Sequence, residues 1–384
     1  MSSETRIKRE GVLSASPQRL TLDERIYRFP WGLLLALLAI LGMGLGVLYS
    51  ATGGDGEVLF KQGLRVGVML ALFFALALSG DKLFRHNAYV IYFGVLLLLV
   101  AVFAMGHIGM GARRWIDLGV VRLQPSELMK VALAIALARW FHDRSVAKSI
   151  GLKDLLGPVV LISLPLVFIL KQPDLGTAVA VAVVGMAVVF VAGLSWKVLL
   201  GAVVMLGAAM PMVWNSLHDY QRRRVETLLS PESDPLGAGY HIIQSKIAVG
   251  SGGVLGKGYL AGSQNLLNFL PERHTDFIFS VLAEEWGFVG AMVLLGLYAI
   301  VVARGLSICI TARNRFGMLL AVGMVTMLGL QVVINVGMVV GMLPVVGIPL
   351  PLVSYGGSSL LTTMVAMGLL AHVSIHSKSM SRTV

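Results

Sequence analysis

The stretch LPERHTDFIFSVLAEEWG, Leu270–Gly287, closes the longest polar loop of the chain and opens a long hydrophobic run. It places six titratable side chains, Glu272, Arg273, His274, Asp276, Glu284 and Glu285, where hydrophilic sequence meets apolar sequence. Charged groups beside hydrocarbon are costly and are generally kept for a function. Both the fold and the meaning of this stretch therefore depend on whether the surrounding sequence is a membrane domain.

Composition decides that. Of 384 residues, 57% are hydrophobic and only 13% charged, about half the ~25% charged share of a soluble domain. A run of roughly 20 apolar residues crosses a bilayer as a helix. Ten such spans are expected, at 31–50, 61–80, 88–107, 125–142, 155–171, 176–195, 197–214, 276–304, 316–341 and 350–376. The fourth carries Glu127 and Lys130, and the fifth contains Pro158 and Pro165. The expected fold is an all-α polytopic membrane protein of about ten transmembrane helices. A basic tail over 1–30 precedes the membrane domain of 31–376, and 377–384 form a short C-terminal tail.

Orientation follows from basic residues, which collect on the cytoplasmic side. With the N-terminus inside, the inner segments hold 18 of the 31 Lys and Arg, and the whole formal charge of +11 falls on that side. An even number of spans puts both termini in the cytoplasm. Basic charge here reads as topology and not as nucleic-acid binding. The N-terminal segment lacks the apolar core of a signal peptide, and the single cysteine, Cys309, excludes an internal disulfide.

That orientation gathers the irregular segments outside: 108–127, 171–177, one large extracytoplasmic loop at 215–275 between helices 7 and 8, and the Pro/Gly-rich run 341–359. Arg113, Arg114 and Arg122 sit against the positive-inside trend, which invites an anionic partner; arginine offers a fork that fits phosphate. Glu127 and Lys130, three apart, share a helix face and either pair inside the bundle or contact substrate. Asp174 in KQPDLGTA either caps the sixth helix or positions a cation. Tyr240, Ile243 and Ile247 fall at helical spacing with Lys246 elsewhere on the wheel, as in a short interfacial helix. The glycines of Gly250–Gln264 permit tight turns beside a ligand or form a flexible linker. Ser354 lies in SYGGSS, where hydroxyls and free N–H groups suit an anion or a helix cap. Asp276, at a helix start, would be held ionised by the dipole, as a general base requires.

Taken together, GARRWIDLG…RLQPSELMK, KQPDLGTA, LPERHTDFIFSVLAEEWG and NVGMVVGMLPVVGIPLPLVSYGGSS resemble, in order, the signature segments of the SEDS family, the bacterial shape, elongation, division and sporulation proteins. The resemblance runs from the first span to the last. Arg273 is similar to the elongation branch, since the division branch typically has Ala there. The resemblance implies a peptidoglycan glycosyltransferase that polymerises lipid II on the outer face of the cytoplasmic membrane. It also implies a class B penicillin-binding protein, a transpeptidase, as partner. The family's essential aspartate maps to Asp276, its Glu/Lys pair to Glu127 and Lys130, and its other outer aspartate to Asp174. Arg113, Arg114, Arg122, Lys246, Arg273, His274 and Ser354 complete the candidate substrate contacts. A divalent cation, Mg or Mn, is a further candidate source of positive charge, with ligands unknown. Two other function classes stay open: a lipid II flippase or proton-coupled transporter, and a non-catalytic scaffold for a transpeptidase.

Overall fold

The computed structural model describes residues 21–80, 82–109, 112–117, 122–144, 152–198, 200–201, 204–205, 207–208, 219–233, 237–266 and 272–377. Most of the expected seventh span and its exit, and both extreme tails, lie outside the described residues. The described part is overwhelmingly helical. In chain order it comprises α1 (Leu22–Tyr27), α2 (Trp31–Ala51), α3 (Gly56–Ala77), α4 (Leu83–His86), α5 (Ala88–Met105), α6 (Pro125–Asp143), α7 (Leu152–Lys171) and α8 (Leu175–Val191). Then follow α9 (Asp219–Leu229), α10 (Ala238–Ser251), α11 (Ser263–Leu266), α12 (Ile278–Thr311), α13 (Arg315–Val339) and α14 (Gly357–Ser377). Among the described residues, six helices are long and apolar enough to cross a membrane: α2, α3, α7, α12, α13 and α14. The helices α5 and α8 are shorter apolar ones.

Between α5 and α6 the chain makes a small antiparallel sheet, β1 (His107–Gly109), β2 (Ala112–Asp117) and β3 (Arg122–Leu123) in the order 1-2-3. It lies at the end of the bundle where the stretch 272–277 is also found.

Helix α6 is the axis of the bundle. It packs on α5, α8 and α13, and every residue from Met129 to Ala138 is buried. A helix enclosed on all faces needs small side chains where neighbours approach, and its alanines supply them. A Cβ on Gly323 of α13 would lie 2.6 Å from the Ala134 Cβ. Helix α14 is nearly as enclosed, whereas α3 and α7 lie at the periphery with mostly exposed faces. Helix α7 runs unbroken through Pro158 and Pro165.

Two boundaries differ from expectation for physical reasons. The last helix begins at Gly357 and not near 350, because Pro349 and Pro351 lack the N–H groups a helix needs. The 34-residue α12 is broken at Gly287, whose φ of 65° and ψ of −163° are not helical. The break is filled by the loop after α10. Lys257 N donates to Glu284 O (3.0 Å) and Gly258 N to Glu285 O (3.0 Å), while Phe288 N donates to Gly253 O (2.9 Å) and Val289 N to Val254 O (3.1 Å). A Cβ on Gly287 would meet Gly256 N at 2.2 Å, so only glycine lets the two backbones touch. The Gly250–Gln264 segment is thus docked against α12 and is not a flexible linker.

Candidate active site

Asp276 lies two residues before α12, whose N-cap is Phe277 with no side-chain cap. Three polar contacts fix the backbone around it. Asn335, fully buried on α13, donates from Nδ2 to both Asp276 O and Ile348 O at 2.8 Å. Ser354 Oγ donates to Thr275 O (2.6 Å) and accepts from Leu350 N (2.8 Å). Tyr355 N donates to His274 O (2.8 Å). The Pro/Gly-rich turn before α14 therefore clamps residues 274–276. The His241 ring of α10 stacks on Phe277, centroids 5.8 Å apart.

The carboxylate itself is left unsatisfied: it accepts no hydrogen bond from any described residue. It rests over Gly347, where φ is +75° and a Cβ would come within 3.2 Å of Asp276 Oδ2. Burial pushes its pKa up to about 6, the charge of Glu272 adds to the rise, and Arg224 opposes it. The expectation of a dipole-favoured, readily ionised N-cap is corrected here. Helix α12 starts too late for Asp276 to cap it, and loss of water outweighs the dipole. Glu272 sits nearby with φ +54°, a conformation uncommon outside glycine and typical of constrained sites.

The other candidates fall into three groups. Residues Lys246, Asp174 and Asp276 belong to segments that converge on the 341–348 turn. A Cβ on Gly341 would strike the Lys246 Cε at 2.0 Å, and one on Gly176, two residues after Asp174, would come within 3.1 Å of Val346. Asp174 caps α8 by accepting from Thr177 N (3.2 Å) and also accepts from Gln124 Nε2 (3.1 Å). Arg114 donates to the Gln172 and Pro173 carbonyls of the same α7–α8 turn, so it braces backbone. His274 faces Tyr355, ring centroids 6.0 Å apart, and Arg65 of α3 lies 4.9 Å from the Tyr355 ring. Ser354, expected at an anion site or cap, has its hydroxyl occupied by the two backbone contacts above.

The second group is Glu127 and Lys130, joined at 2.7 Å with side chains 7% and 1% exposed. Gln331 Nε2 reaches the other Glu127 oxygen at 3.4 Å. Gln331 and Asn335 are four apart on α13, so the ion pair sits about one turn, some 5–6 Å, deeper in the bundle than the Asp276 backbone. The third group stands apart. Arg122 is 65% exposed and 3.4 Å from Asp117. Its carbonyl accepts from Ser358 Oγ (2.6 Å), which in turn accepts from Gln124 N (3.1 Å). Arg113 lies in β2, and its side chain is outside the described part. Arg273 is partly buried.

Glu284 and Glu285 are both buried and both partnered. Glu284 Oε1 accepts from Lys257 Nζ (2.7 Å), Ser263 Oγ (3.0 Å) and Gln264 N (3.1 Å). Glu285 accepts from Ser50 Oγ of α2. They hold the docked loop and α2 against α12. The residues missed from sequence are Asn335, Gly347 and Tyr355, which shape the Asp276 pocket from α13 and the turn. Their signal was available, since all three lie in the irregular run 335–359.

Comparison with known proteins adds the family. Residues 31–379 match the FtsW–RodA–SpoVE family of cell cycle proteins. The peptidoglycan glycosyltransferase MrdB of Escherichia coli K12 is 46% identical over 373 residues, covering 97% of this chain and all of that protein. The probable peptidoglycan glycosyltransferase FtsW of Geobacter metallireducens is 38% identical, covering 94% of this chain and 98% of its own length. Among solved structures, a peptidoglycan synthase complex that coordinates polymerization and crosslinking superposes with TM-score 0.79 at 40% identity, over 90% of this chain and 97% of that one. The rod shape determining protein RodA of Thermus thermophilus gives 0.69 at 34% identity, over 91% and 98%. With its signature segments in order and its membrane domain matched end to end, the chain belongs to the FtsW–RodA–SpoVE family of cell cycle proteins.

Proposed function

We propose that this protein is a peptidoglycan glycosyltransferase of the elongation branch, polymerising lipid II into β-1,4 glycan at the outer face of the bacterial cytoplasmic membrane. The observation that carries the reading is 46% identity over essentially the whole chain to a peptidoglycan glycosyltransferase. The unsatisfied carboxylate of Asp276, in a pocket built by four separate segments, supports a chemical role over a structural one. Ten spans, cytoplasmic termini and a large outer loop complete the topology, and a class B penicillin-binding protein is the partner, in keeping with the synthase complex that the fold resembles.

Asp276 is the general base. It takes the proton from the 4-hydroxyl of the acceptor GlcNAc as that oxygen attacks C1 of the donor MurNAc. The C1–O bond to the lipid pyrophosphate breaks, and inversion turns the α-linked donor into a β linkage. A pyrophosphate leaves without a proton when its charge is met, so the paired carboxylic acids of glycosidases are unnecessary. Arg113, Arg122, Arg273 and Lys246 are the cations we assign to that charge. Among the described residues no group of three or more His, Cys, Asp or Glu is gathered that could hold a metal. A Mg or Mn ion carried on the pyrophosphate itself would need only one or two protein carboxylates and would add to the same neutralisation.

The closed Glu127–Lys130 pair argues against a transporter, because each partner neutralises the other and neither is left to bind a moving ion. Purified protein in detergent with lipid II is the test. Wild type is expected to lengthen glycan without a bilayer, and Asp276→Ala is expected to fold yet make none. Polymer from Asp276→Ala at the wild-type yield would remove Asp276 from its role. Failure of the wild type with and without its transpeptidase would return the flippase or scaffold reading.

A further inference from the structure

The docked loop Gly252–Gly262 is polar-loop sequence, yet it exposes Val254 (66%), Leu255 (79%), Tyr259 (48%) and Leu260 (41%). Its depth can be read from two independent contacts. Ser50 in the last turn of α2 donates to Glu285, so Glu285 is level with the outer end of that span. At the other end the Arg304 guanidinium packs over Gly32, 3.3 Å from where a Cβ would stand, so Arg304 is level with the start of α2. The hydrocarbon-crossing part of α12 thus runs from about Glu285 to Arg304, some 20 residues or ~30 Å.

Against that scale the tip of the loop dips below the edge. Val289 N donates to Val254 O, four residues inward of Glu285. Tyr259 Oη donates to Gly46 O (3.0 Å), four residues inward of Ser50 on the other helix. Both place the tip of the loop at Val254 and the Tyr259 hydroxyl about one helical turn, ~5–6 Å, inside the apolar layer, while Lys257 and Gly258 stay level with its edge at Glu284 and Glu285. Its exposed side chains continue the exposed apolar face of α12 at Phe288, Val289, Met292 and Val293. The costs of that depth are met: Gly253, Val254, Lys257 and Gly258 pair their backbone with the break in α12, and the one loop charge, Lys257, is matched by buried Glu284.

We infer that Gly252–Gly262 is a membrane wedge whose Val254, Leu255, Tyr259 and Leu260 contact the acyl chains of the bilayer. The wedge would fix the height at which the Asp276 segment stands above the lipid, since both are carried by α12. Its assignment to the outer leaflet rests on the orientation proposed above; its depth does not.

The test uses full-length protein in which Cys309 is replaced by Ala, with a single nitroxide at Leu255→Cys or at Val254→Cys, reconstituted alone in lipid nanodiscs. Collision with oxygen and with a water-soluble nickel chelate is compared with Met292→Cys on the apolar face of α12 and Glu232→Cys on the exposed turn Pro231–Ser233. Both loop labels are expected to follow Met292, at least several-fold more accessible to oxygen than to nickel. Nickel accessibility like that of Glu232 would overturn the wedge. Shielding from both reagents would overturn it too, since protein and not lipid would then cover the loop. Glycan synthesis is assayed separately, so an inactive protein with a lipid-facing loop refutes the function and not the wedge.

Discussion

Asp276 and Glu284 are eight residues apart in one seam, and the protein treats their carboxylates in opposite ways. Glu284 is fully buried; its Oε1 takes three donors, including an ammonium, while its Oε2 is buried with no partner among the described residues. Asp276 has Asn335 and Ser354 fixing only its backbone surroundings, and receives nothing on its side chain from the described residues. The Glu127–Lys130 pair, a turn below, is a second carboxylate held by an ammonium. Ion-paired charges hold helices together, and removing a partner leaves an uncompensated ion. An unsatisfied carboxylate is held at a cost to the fold and is free to accept a proton from something else.

The largest effect should come from unbalancing the ion-paired side. Lys130→Met leaves Glu127 alone in the core and is expected to cost about 3–5 kcal/mol of stability. Thermal unfolding in detergent measures it, and adding Glu127→Gln should restore most of the loss. Equal unfolding of wild type and Lys130→Met would show that the pair is not a structural counterpart to Asp276 at all.

The opposite sign is expected at Asp276. Its folded pKa, about 6, is raised from 3.8, so its contribution to stability is full below pH 3.8 and is lost as pH rises through 6. At pH 7.5 the ionised group opposes folding by at most about 3 kcal/mol. Asp276→Asn should therefore unfold no earlier than wild type at pH 7.5, and later if the whole effect is realised. The same variant should lose at least a hundredfold in polymerisation rate, the lower range for removal of a general base. A variant both inactive and unstable would place Asp276 with Glu284 among the structural charges.

Some of this contrast was legible in the sequence. Apolar runs located most ends of the described spans to within about five residues, because hydrocarbon thickness sets their length, though α12 runs on to Thr311 and α14 starts only at Gly357. KQPDLGTA read correctly as a possible cap because capping is a local interaction. What could not be read was long-range. The pocket of Asp276 is closed by Gly347, 71 positions on, and anchored by Asn335 on another helix. A dipole argument from neighbouring residues therefore gave the wrong sign for its ionisation. Gly287 inside an apolar run gave no hint of a break either, since the backbone that fills it comes from residues 253–258.

The smallest effect would sharpen the assignment most. Desolvation dominates the rise at Asp276, and Glu272 and Arg224 adjust it in opposite directions. Glu272→Gln removes a negative neighbour, so the acid limb of kcat/KM, expected near pH 6 for the free enzyme, should move to lower pH. Arg224→Ala removes a positive neighbour and should move it higher. Neither change alters the buried surroundings that supply most of the shift, so each displacement should be a fraction of a pH unit and the limb should stay above pH 3.8. A limb that moves with both variants in these opposite senses belongs to Asp276, because no structural change common to the two would reverse its direction. A limb that stays fixed in both belongs to another group, and the base must then be sought outside this pocket.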